Sequence, residues 1–530
     1  MINLVHDLIT ASADRFPDRT ALKYHGDAFS YVALNKAVNA FSAGLINIGL
    51  KRCDRVAIYA EKRFETVIGM FGSVRAGGVY VPVNPLLKAD QVAYILNDCD
   101  VHALITTSER MESLIPILSH CPNLKYIIYT GVLPTINIPK TITLVDWNSM
   151  QQDRAPNGHR VIDQDMAAIL YTSGSTGNPK GVVLSHRNII AGATSVAEYL
   201  ELTHEDRVLC VLPLSFDYGM NQLTTMFYAG GMAVLMNHLF PKDIITLVAK
   251  ERITGLAAVP PLWIQLAGLP WGTSIDEHLR YFTNSGGHMP KETLTQLRNA
   301  LPKTKPFLMY GLTESFRSTY LPPDQIDIRP DSMGRAIPNA EIFVVKPDGS
   351  PCAPDEPGEL VHRGVHVSLG YWNDPEKTVA RFKPMPNQNR ALPLTEMTVW
   401  SGDIVRQDAE GYLYFVSRND EMIKTSGYRV SPTEIEEMVY NTRLAKEAAA
   451  FGIPHPVLGQ VIALIATPSE EGTLTSAILK AECQKRLPNY MVPTHIEILS
   501  GSLPRNSNGK IDRKFLSTQR QDLFKGISHE

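Results

Sequence analysis

The sequence lacks the features of secreted proteins, of membrane-spanning proteins and of proteins with a structural zinc site. Its six cysteines are scattered over 530 residues without C-x-x-C or Cys/His spacing, which argues against a disulfide framework and fits a reducing cytoplasm. No stretch approaches the roughly 20 consecutive apolar residues that cross a bilayer. The N-terminus carries Asp7 and Asp14 and places Leu4, Leu8 and Ile9 at helical spacing. We therefore expect an amphipathic helix there, not a signal peptide, and a cytoplasmic protein.

Neither sign of charge dominates the chain. The formal net charge is -3, with 20% charged and 44% hydrophobic residues, which is the composition of an ordinary globular protein. This balance gives no electrostatic reason to expect nucleic acid or a membrane surface as a partner. The length exceeds what one hydrophobic core supports, so at least two domains are expected.

The first 400 residues or so alternate short apolar runs with helical patterns. Strands are predicted at VAIYA, VYVPV, ALITT and KYIIYT, and helices at ETVIGMFGSVRAGG and ADQVAYILNDC. Such alternation predicts an α/β fold: a large N-terminal domain whose sheets are mostly parallel and covered on both faces.

The pattern of predicted helices and strands changes near residue 420. SPTEIEEMVYNT reads as a helix capped by Ser431 with Glu434 three residues on. VIALIATP then reads as a strand and SAILKAECQKRL as a helix, which together predict a small α+β domain. The polar segment SRNDEMIKTSGYR is expected to be a linker or hinge. The predicted domains are 1–419 and 420–530.

The strongest motif is the segment YTSGSTGNPKG, from Tyr171 to Gly181, between the predicted strands MAAIL and GVVLS. It combines hydroxyls, glycines that expose backbone N–H groups, and one lysine, Lys180. Amides and hydroxyls can donate to phosphate oxygens while the ammonium offsets their charge. The spacing differs from the G-x-x-x-x-G-K-S/T pattern of the Walker loop. The alternative is an ordinary surface turn, which Ser, Gly and Asn also favour.

The segment YTSGSTGNPKGV resembles the phosphate loop of the adenylate-forming superfamily, which includes acyl-CoA synthetases, peptide-synthetase adenylation domains and luciferases. Further matches follow in the family's order: RAGGVYVPVNP (75–85), YGLTES (310–315), SGD (401–403), SRNDEMIKTSGYR (417–429) and PRNSNGKIDR (504–513). The stretch NDEMIKTSGYRVSPTEIEE also resembles freestanding AMP-forming ligases of bacterial biosynthetic clusters, including the exosortase-associated type. The ordered set covers nearly the whole chain.

The resemblance implies ATP and Mg²⁺ as cofactors. By resemblance, Tyr310 stacks on adenine, Asp403 accepts the ribose hydroxyls and Glu314 binds the metal, roles that suit an aromatic ring and hard carboxylate oxygens. The full set implied for the nucleotide is Thr172, Ser173, Gly174, Ser175, Thr176, Gly177, Tyr310, Thr313, Asp403 and Arg418.

The catalytic residues implied by the resemblance are Lys180, Glu314 and Lys510. Adenylation brings a carboxylate against the α-phosphorus, so a lysine that bridges both stabilises charge in the transition state. The superfamily reuses one site for two steps by rotating a mobile C-terminal domain. Asp420 matches the hinge, and Lys424 and Gly427 match the tunnel for the thiol.

The acid pocket is implied to begin at Phe216-Asp217, a pair that resembles amino-acid-activating domains, where the aspartate grips the α-ammonium. The alternative is that Asp217 only caps the next helix. The substrate-binding residues are Phe216, Asp217, Asn221, Ser285 and Gly286, and the further pocket positions are Tyr218, Ala258, Thr283, Met309 and Arg317. This mixed, polar set disfavours a long fatty chain. Arg317 either meets an acidic substrate group or pairs with a protein carboxylate.

The predicted function is that of an AMP-forming acid–thiol ligase. A small carboxylic acid or amino acid is adenylated, and the acyl group passes to the pantetheine thiol of CoA or of a separate carrier protein, since no carrier domain follows Lys510. VNP (83–85) resembles acyl-CoA synthetases instead, so a synthetase for a non-amino acid stays open. A luciferase-type oxygenase is a further alternative. A non-catalytic nucleotide-binding regulator is opposed by the joint presence of Lys180, Glu314, Asp403 and Lys510.

Overall fold

The computed structural model describes residues 2–132, 137–151, 158–172, 179–389, 391–418, 423–425, 428–455, 459–487, 489–506 and 509–524. The N-terminal part of the chain, up to Arg418, forms two large sheets with helices packed around them. Its helices are α1 (Asp7–Arg15), α2 (Tyr31–Asn47), α3 (Phe64–Arg75), α4 (Ala89–Asp98), α5 (Ser108–Leu118), α6 (His186–Tyr199), α7 (Asp217–Ala229), α8 (Pro241–Lys250), α9 (Pro260–Ala267), α10 (Lys291–Ala300) and α11 (Pro375–Arg381).

The strands of this part follow in chain order. They are β1 (Thr20–Tyr24), β2 (Asp27–Ser30), β3 (Arg55–Tyr59), β4 (Val79–Pro82), β5 (Val101–Thr107), β6 (Tyr126–Thr130), β7 (Thr143–Asp146), β8 (Met166–Thr172), β9 (Lys180–Ser185), β10 (Arg207–Cys210), β11 (Met232–Leu235), β12 (Gly255–Ala258), β13 (Tyr281–Asn284), β14 (Lys305–Tyr310), β15 (Thr319–Leu321), β16 (Ser332–Ala336), β17 (Ala340–Val345), β18 (Gly358–Gly364), β19 (Phe382–Pro384), β20 (Met397–Gln407) and β21 (Leu413–Arg418). Every strand and helix predicted from the sequence here is present.

The first sheet has seven strands in the order β7-β6-β5-β3-β4-β8-β9. Its strands pair in parallel except β8 and β9, which form an antiparallel hairpin with Thr172 opposite Lys180. The glycine-rich segment joins the two strands of that hairpin, as the flanking apolar runs predict.

The second sheet has a parallel half, bordered by the antiparallel β1–β2 pair, and an antiparallel half. Strands β1, β11, β10, β12, β13 and β14 pair in parallel, whereas β15 to β21 pair antiparallel. The α/β class with a large N-terminal domain is thus confirmed, and the antiparallel region is an addition that the helix–strand alternation does not predict.

One apolar core joins the two sheets. Ile58 of the first sheet and Leu209 of the second belong to the same buried cluster, together with Phe71 of α3. The opposite face of the first sheet, with Ala57 and Leu104, packs under α4 and α5. Burial on both faces explains why these strands read as continuous apolar runs.

The C-terminal part forms a smaller α+β unit. It comprises β22 (Ile423–Thr425), β23 (Tyr428–Val430), α12 (Pro432–Asn441), β24 (Ala445–His455), β25 (Gly459–Pro468), α13 (Ser476–Arg486), β26 (His495–Ile498) and α14 (Arg513–Thr518). Its sheet runs β23-β22-β25-β24, with β26 beside β25, and apolar clusters cover both faces.

Two local predictions for this part need correction. Strands β22 and β23 lie inside the segment expected to be a linker, because Ile423 and Val430 are apolar enough to join the core of the small sheet. Ser431 stands at the N-cap of α12, but its hydroxyl accepts no capping hydrogen bond. Pro432 at the first helical position fixes the start of the helix instead.

Among the described residues, ion pairs connect the N-terminal and C-terminal parts. Arg443 lies 2.8 Å from Glu292, and His288 lies 3.3 Å from Glu437. They join the end of α12 to the start of α10. At the N-terminus, α1 buries Leu8 and Ile9 as the helical spacing predicts. Among the described residues, no helix is both long and apolar enough to span a membrane.

Candidate active site

The site residues of the second sheet follow the carboxyl ends of neighbouring parallel strands. Asp217 comes after β10, Ser285 and Gly286 come after β13, and Tyr310 ends β14. Loops after such ends meet in one crevice, which is where open α/β sheets bind ligands. The fold therefore gathers positions that are almost 100 residues apart in the chain.

Lys180 and Glu314 form a largely buried pair at the base of the hairpin. Nζ of Lys180 lies 3.0 Å from Oε1 of Glu314 and donates to the hydroxyl of Tyr371 at 2.7 Å. That hydroxyl in turn donates to Oε1 of Glu314 at 2.5 Å. Glu314 belongs to a short 3₁₀ turn, Thr313–Ser315, and is 6% exposed.

The charge state of Glu314 follows from its neighbours. Burial acts to raise the pKa of this carboxyl, but the cations Lys180 and Arg381 and the hydrogen bond from Tyr371 outweigh it and lower the pKa to about 2. The group is therefore a fully ionised oxygen ligand in a polar crevice. Such a carboxylate is suited to Mg²⁺.

Tyr310 and Asp403 contact each other across the same crevice. The Tyr310 hydroxyl donates to Oδ2 of Asp403, which is buried on β20. The backbone of Arg418 on β21 lies directly opposite Asp403 in the antiparallel ladder. The structure thus brings together three residues predicted to hold the nucleoside, and the ring of Tyr310 is half-buried at the edge of the site.

Asp217 is a buried carboxylate at the start of α7. It is 4% exposed, and its Oδ1 accepts a hydrogen bond from the Thr313 hydroxyl at 3.3 Å. Burial raises its pKa, and the charges of Arg317 and Lys510 offset part of that rise. The helix-capping alternative is wrong, because the N-cap residue is Phe216 and Asp217 is already helical. Thr313, predicted to contact the nucleotide, contacts Asp217 here.

Lys510, from the C-terminal part, approaches residues predicted to line the acid pocket. A Cβ atom added to Gly286 would lie 3.5 Å from Cε of Lys510, 3.3 Å from Val259 and 3.9 Å from the Phe216 ring. Gly286 has φ +81°, a conformation that favours glycine. The side chain of Lys510 therefore lies close to this glycine, and its charge also acts on Asp217.

A cavity of about 30 Å³ lies deeper, between α6, α7 and the second sheet. Asn221, predicted to bind substrate, lines it together with Tyr218 and Thr283, whose hydroxyls are 2.5 Å apart. Both polar atoms of the Gln222 amide lack a hydrogen-bond partner in the described part of the chain. The space beyond Asp217 is thus narrow and partly polar.

Several predicted residues lie outside the described residues. They are Ser173, Gly174, Ser175, Thr176, Gly177, Asp420 and Gly427, and for Arg418 and Lys424 only the backbone is described. Thr172 ends β8, where its buried hydroxyl has no hydrogen-bond partner within the described ranges. The sequence does not predict two residues that lower the pKa of Glu314. They are Tyr371, signalled only by an aromatic in GYWND, and Arg381, for which the sequence has no signal.

Comparison with known proteins decides the family. The profile described as AMP-binding enzyme matches residues 9–372, and that of the AMP-binding enzyme C-terminal domain matches residues 434–510. The chain belongs to the AMP-binding enzyme family. The two matches fall on the large and small parts of this AMP-binding enzyme, and the resemblance seen in its motifs is confirmed.

Curated relatives of this AMP-binding enzyme are ligases and synthases. It is 29% identical to an L-proline–[L-prolyl-carrier protein] ligase of Pseudomonas fluorescens, over 98% of this chain and 99% of the relative. It is 29% identical to a long-chain-fatty-acid–CoA ligase of Salmonella typhimurium, over 96% and 93%. Bacitracin synthase 3 of Bacillus licheniformis is 28% identical over 97% of this chain, which spans only 8% of that relative's length. The predicted class, an AMP-forming ligase, is confirmed.

Solved structures share the fold of this AMP-binding enzyme. ATP-bound MatB from Rhodopseudomonas palustris has a TM-score of 0.85 at 24% identity, covering 98% of this chain and all of the other. MenE from Bacillus subtilis, in complex with ATP and a magnesium ion, has a TM-score of 0.80 at 24% identity, covering 96% and 98%. The fold is therefore that of enzymes crystallised with ATP.

Proposed function

We propose that this enzyme adenylates a small carboxylic acid, with an amino acid as its preferred substrate, and passes the acyl group to a pantetheine thiol. The observation that carries the proposal is the closeness of Lys510 to both Asp217 and Gly286, next to Thr313 and the Lys180–Glu314 pair. This arrangement offers a carboxylate for an ammonium, a cation for the reacting carboxylate, and an ionised ligand for a metal.

The nucleotide half of the site suits ATP with Mg²⁺. Glu314 is ionised because its pKa is near 2, so it would hold the metal, which neutralises phosphate charge when bound. Lys180 would then leave Glu314 and contact phosphate oxygens, since an ammonium is a strong donor to such groups. Asp403 would exchange the Tyr310 hydroxyl for the ribose hydroxyls, which frees the Tyr310 ring to pack against the base.

The acid half of the site suits a substrate with an ammonium group. Asp217 is buried and accepts one hydrogen bond from Thr313, and burial raises its pKa. A cationic partner lowers the cost of keeping this carboxylate ionised, and the pairing is strong in a closed pocket. Lys510 would contact the reacting carboxylate and the α-phosphate as charge moves between them.

The second step requires a different position of the C-terminal part. The Arg443–Glu292 and His288–Glu437 pairs lie at the surface, where ion pairs are weak enough to break during a rotation. We propose Asp420 as the hinge, with Lys424 and Gly427 beside the incoming thiol. Asp420→Pro should keep adenylation and lose thioester formation.

The thiol acceptor is a carrier protein or CoA, and the two are separated by direct assay. The relatives include ligases of both kinds, and the polar pocket around Asp217 favours the carrier-protein version. We also propose a cytoplasmic location, since all six cysteines are unpaired. The test is hydroxylamine-trapped pyrophosphate release over amino, aryl, short and long acids, repeated with each acceptor. Failure of every acid would overturn the proposal.

A further inference from the structure

Arg317 is a buried cation whose guanidinium group is only partly hydrogen-bonded by the described residues. The residue is 1% exposed, and its Nη1 donates to the Ser285 hydroxyl at 2.8 Å. Its Nε and Nη2 make no hydrogen bond within the described part of the chain. An arginine remains protonated under all ordinary conditions, so burial of two donor nitrogens of a cation without hydrogen-bond partners is costly unless a ligand satisfies them.

In other arginines of this protein, Nε and Nη2 are the two nitrogens that bind a carboxylate. Nε and Nη2 of Arg513 contact the two oxygens of Glu436 at 2.9 and 2.6 Å. The same atoms of Arg63 contact Glu65 at 2.7 and 3.1 Å. Two parallel N–H bonds to one carboxylate are the strongest arrangement a guanidinium makes. Arg317 presents that edge without the carboxylate.

Arg317 lies in the acid pocket. Its guanidinium carbon is 4.8 Å from the centre of the Tyr218 ring, and its hydrogen-bond partner Ser285 follows β13 beside Gly286. Asp217 is near enough for Arg317 to lower its pKa. Asp217 does not satisfy the free edge, however, because neither Nε nor Nη2 is hydrogen-bonded within the described ranges.

We propose that the acid activated by this enzyme carries a second carboxylate, which binds Nε and Nη2 of Arg317. The inference rests on the proposed function, since it takes Asp217 and Lys510 to hold the rest of the substrate. An amino dicarboxylic acid satisfies every charge: its ammonium pairs with Asp217, its reacting carboxylate faces Lys510, and its second carboxylate meets Arg317. The pocket's two cations and one anion then match a substrate with two anions and one cation.

The direct test compares matched substrates on the wild-type enzyme. Pyrophosphate release is measured for aspartate against asparagine, glutamate against glutamine, and succinate against succinamate. A site built for a carboxylate rejects the neutral amide, so the acidic member of at least one pair should have a kcat/KM at least about 100-fold higher. Equal rates, or preference for the amide in all pairs, would overturn the inference.

The variant test uses Arg317→Met, with Arg335→Met as a matched control at an exposed arginine. Arg317→Met should lose the preference for the acidic member, through a fall of about 100-fold in its kcat/KM, while the amide changes little. A purely structural arginine would lower both equally and overturn the inference. ATP-dependent thermal stabilisation of each variant checks its folding, and the wild-type comparison stands if Arg317→Met fails to fold.

The two proposals fail separately. If an acid without a second carboxylate supports rapid pyrophosphate release and no dicarboxylic acid does, the inference of a second carboxylate is wrong. The proposed adenylating function then stands. If none of the acids tested, including the dicarboxylic ones, gives release above the ATP-only background, the proposed function itself is wrong.

Discussion

Lys180 and Glu314, 134 residues apart in the chain, are joined by a 3.0 Å ion pair that the Tyr371 hydroxyl bridges. The pair holds both charges close together at a position where Glu314 is buried. A nucleotide with its metal can replace each partner, because phosphate takes the ammonium and Mg²⁺ takes the carboxylate. Under the proposed function, the ion pair keeps both groups in the charge state that suits ATP with its metal.

The first prediction concerns that pair. Glu314→Gln retains the shape but removes the metal ligand's charge, so the Mg²⁺ concentration for half-maximal pyrophosphate release should rise at least about 10-fold. Tyr371→Phe is the matched control: it removes the two hydrogen bonds that the hydroxyl makes with Lys180 and Glu314 but keeps the carboxylate, and the change should stay within about 5-fold. Equal effects of the two substitutions would count against a metal role for Glu314.

The second prediction gives the pH dependence of the same pair. The pKa of Glu314 is lowered from 4.5 to about 2, so its stabilising contribution is complete above pH 4.5 and is lost as the pH falls towards 2. Lys180→Met removes much of that contribution. Thermal unfolding should therefore show a gap between wild type and variant that is constant from pH 8 to about 5 and shrinks below. A gap that widens on acidification would contradict the assigned charges.

The third prediction tests the preference for an amino acid. Asp217→Asn should reduce kcat/KM for amino acids by about 100-fold and spare the same acids lacking the amino group, since only the former present an ammonium. Thr313→Val, which removes the hydrogen bond to Asp217, is the control and should cost about 5-fold. Because burial raises the pKa of Asp217, amino-acid affinity in wild type should increase as pH rises through that pKa. Uniform loss for both acid types would favour an acyl-CoA synthetase for a non-amino acid.

The fourth prediction concerns Gly286. Its φ of +81° strains any side chain, and a Cβ would lie tightly against Val259 at 3.3 Å and in ordinary contact with Lys510 at 3.5 Å. Gly286→Ala should therefore lower the rate of adenylation and leave ATP affinity unchanged, as measured by pyrophosphate exchange and by equilibrium binding. Gly268→Ala is the control, since nothing lies within 4 Å of its added Cβ and its φ is not positive. Full activity in Gly286→Ala would remove this residue from the site.

The sequence predicts which charged residues form the site, but it does not predict all of the contacts between them. Motifs such as YTSGSTGNPKG, YGLTES and NSNGKIDR name the charged residues, and the ends of parallel strands predict that they meet. Tyr371 was missed because its place between Lys180 and Glu314 depends on an antiparallel contact of Val182 with Tyr371. That contact spans almost 190 residues and leaves no periodic signal.

The fold is predictable from the sequence where burial of an element requires a recognisable pattern of apolar residues. Strands β3 to β6, buried on both faces, are continuous apolar runs and were found directly. The antiparallel strands from β15 to β21 were not, since short strands such as Thr319–Leu321 pair across long connections. The sequence does not predict the β22–β23 hairpin, because polar residues in this segment outnumber the two apolar residues, Ile423 and Val430, that join the core.

The most direct test of the account separates the two half-reactions in a Lys510→Ala variant, with Lys514→Ala as the control at an exposed lysine of α14. Acid-dependent pyrophosphate exchange should fall at least about 100-fold in Lys510→Ala and persist in Lys514→Ala, while transfer of the acyl group from a synthetic acyl-adenylate to the thiol acceptor should continue at the wild-type rate. Undiminished pyrophosphate exchange in Lys510→Ala would contradict the central claim that this lysine closes over the acid and drives adenylation.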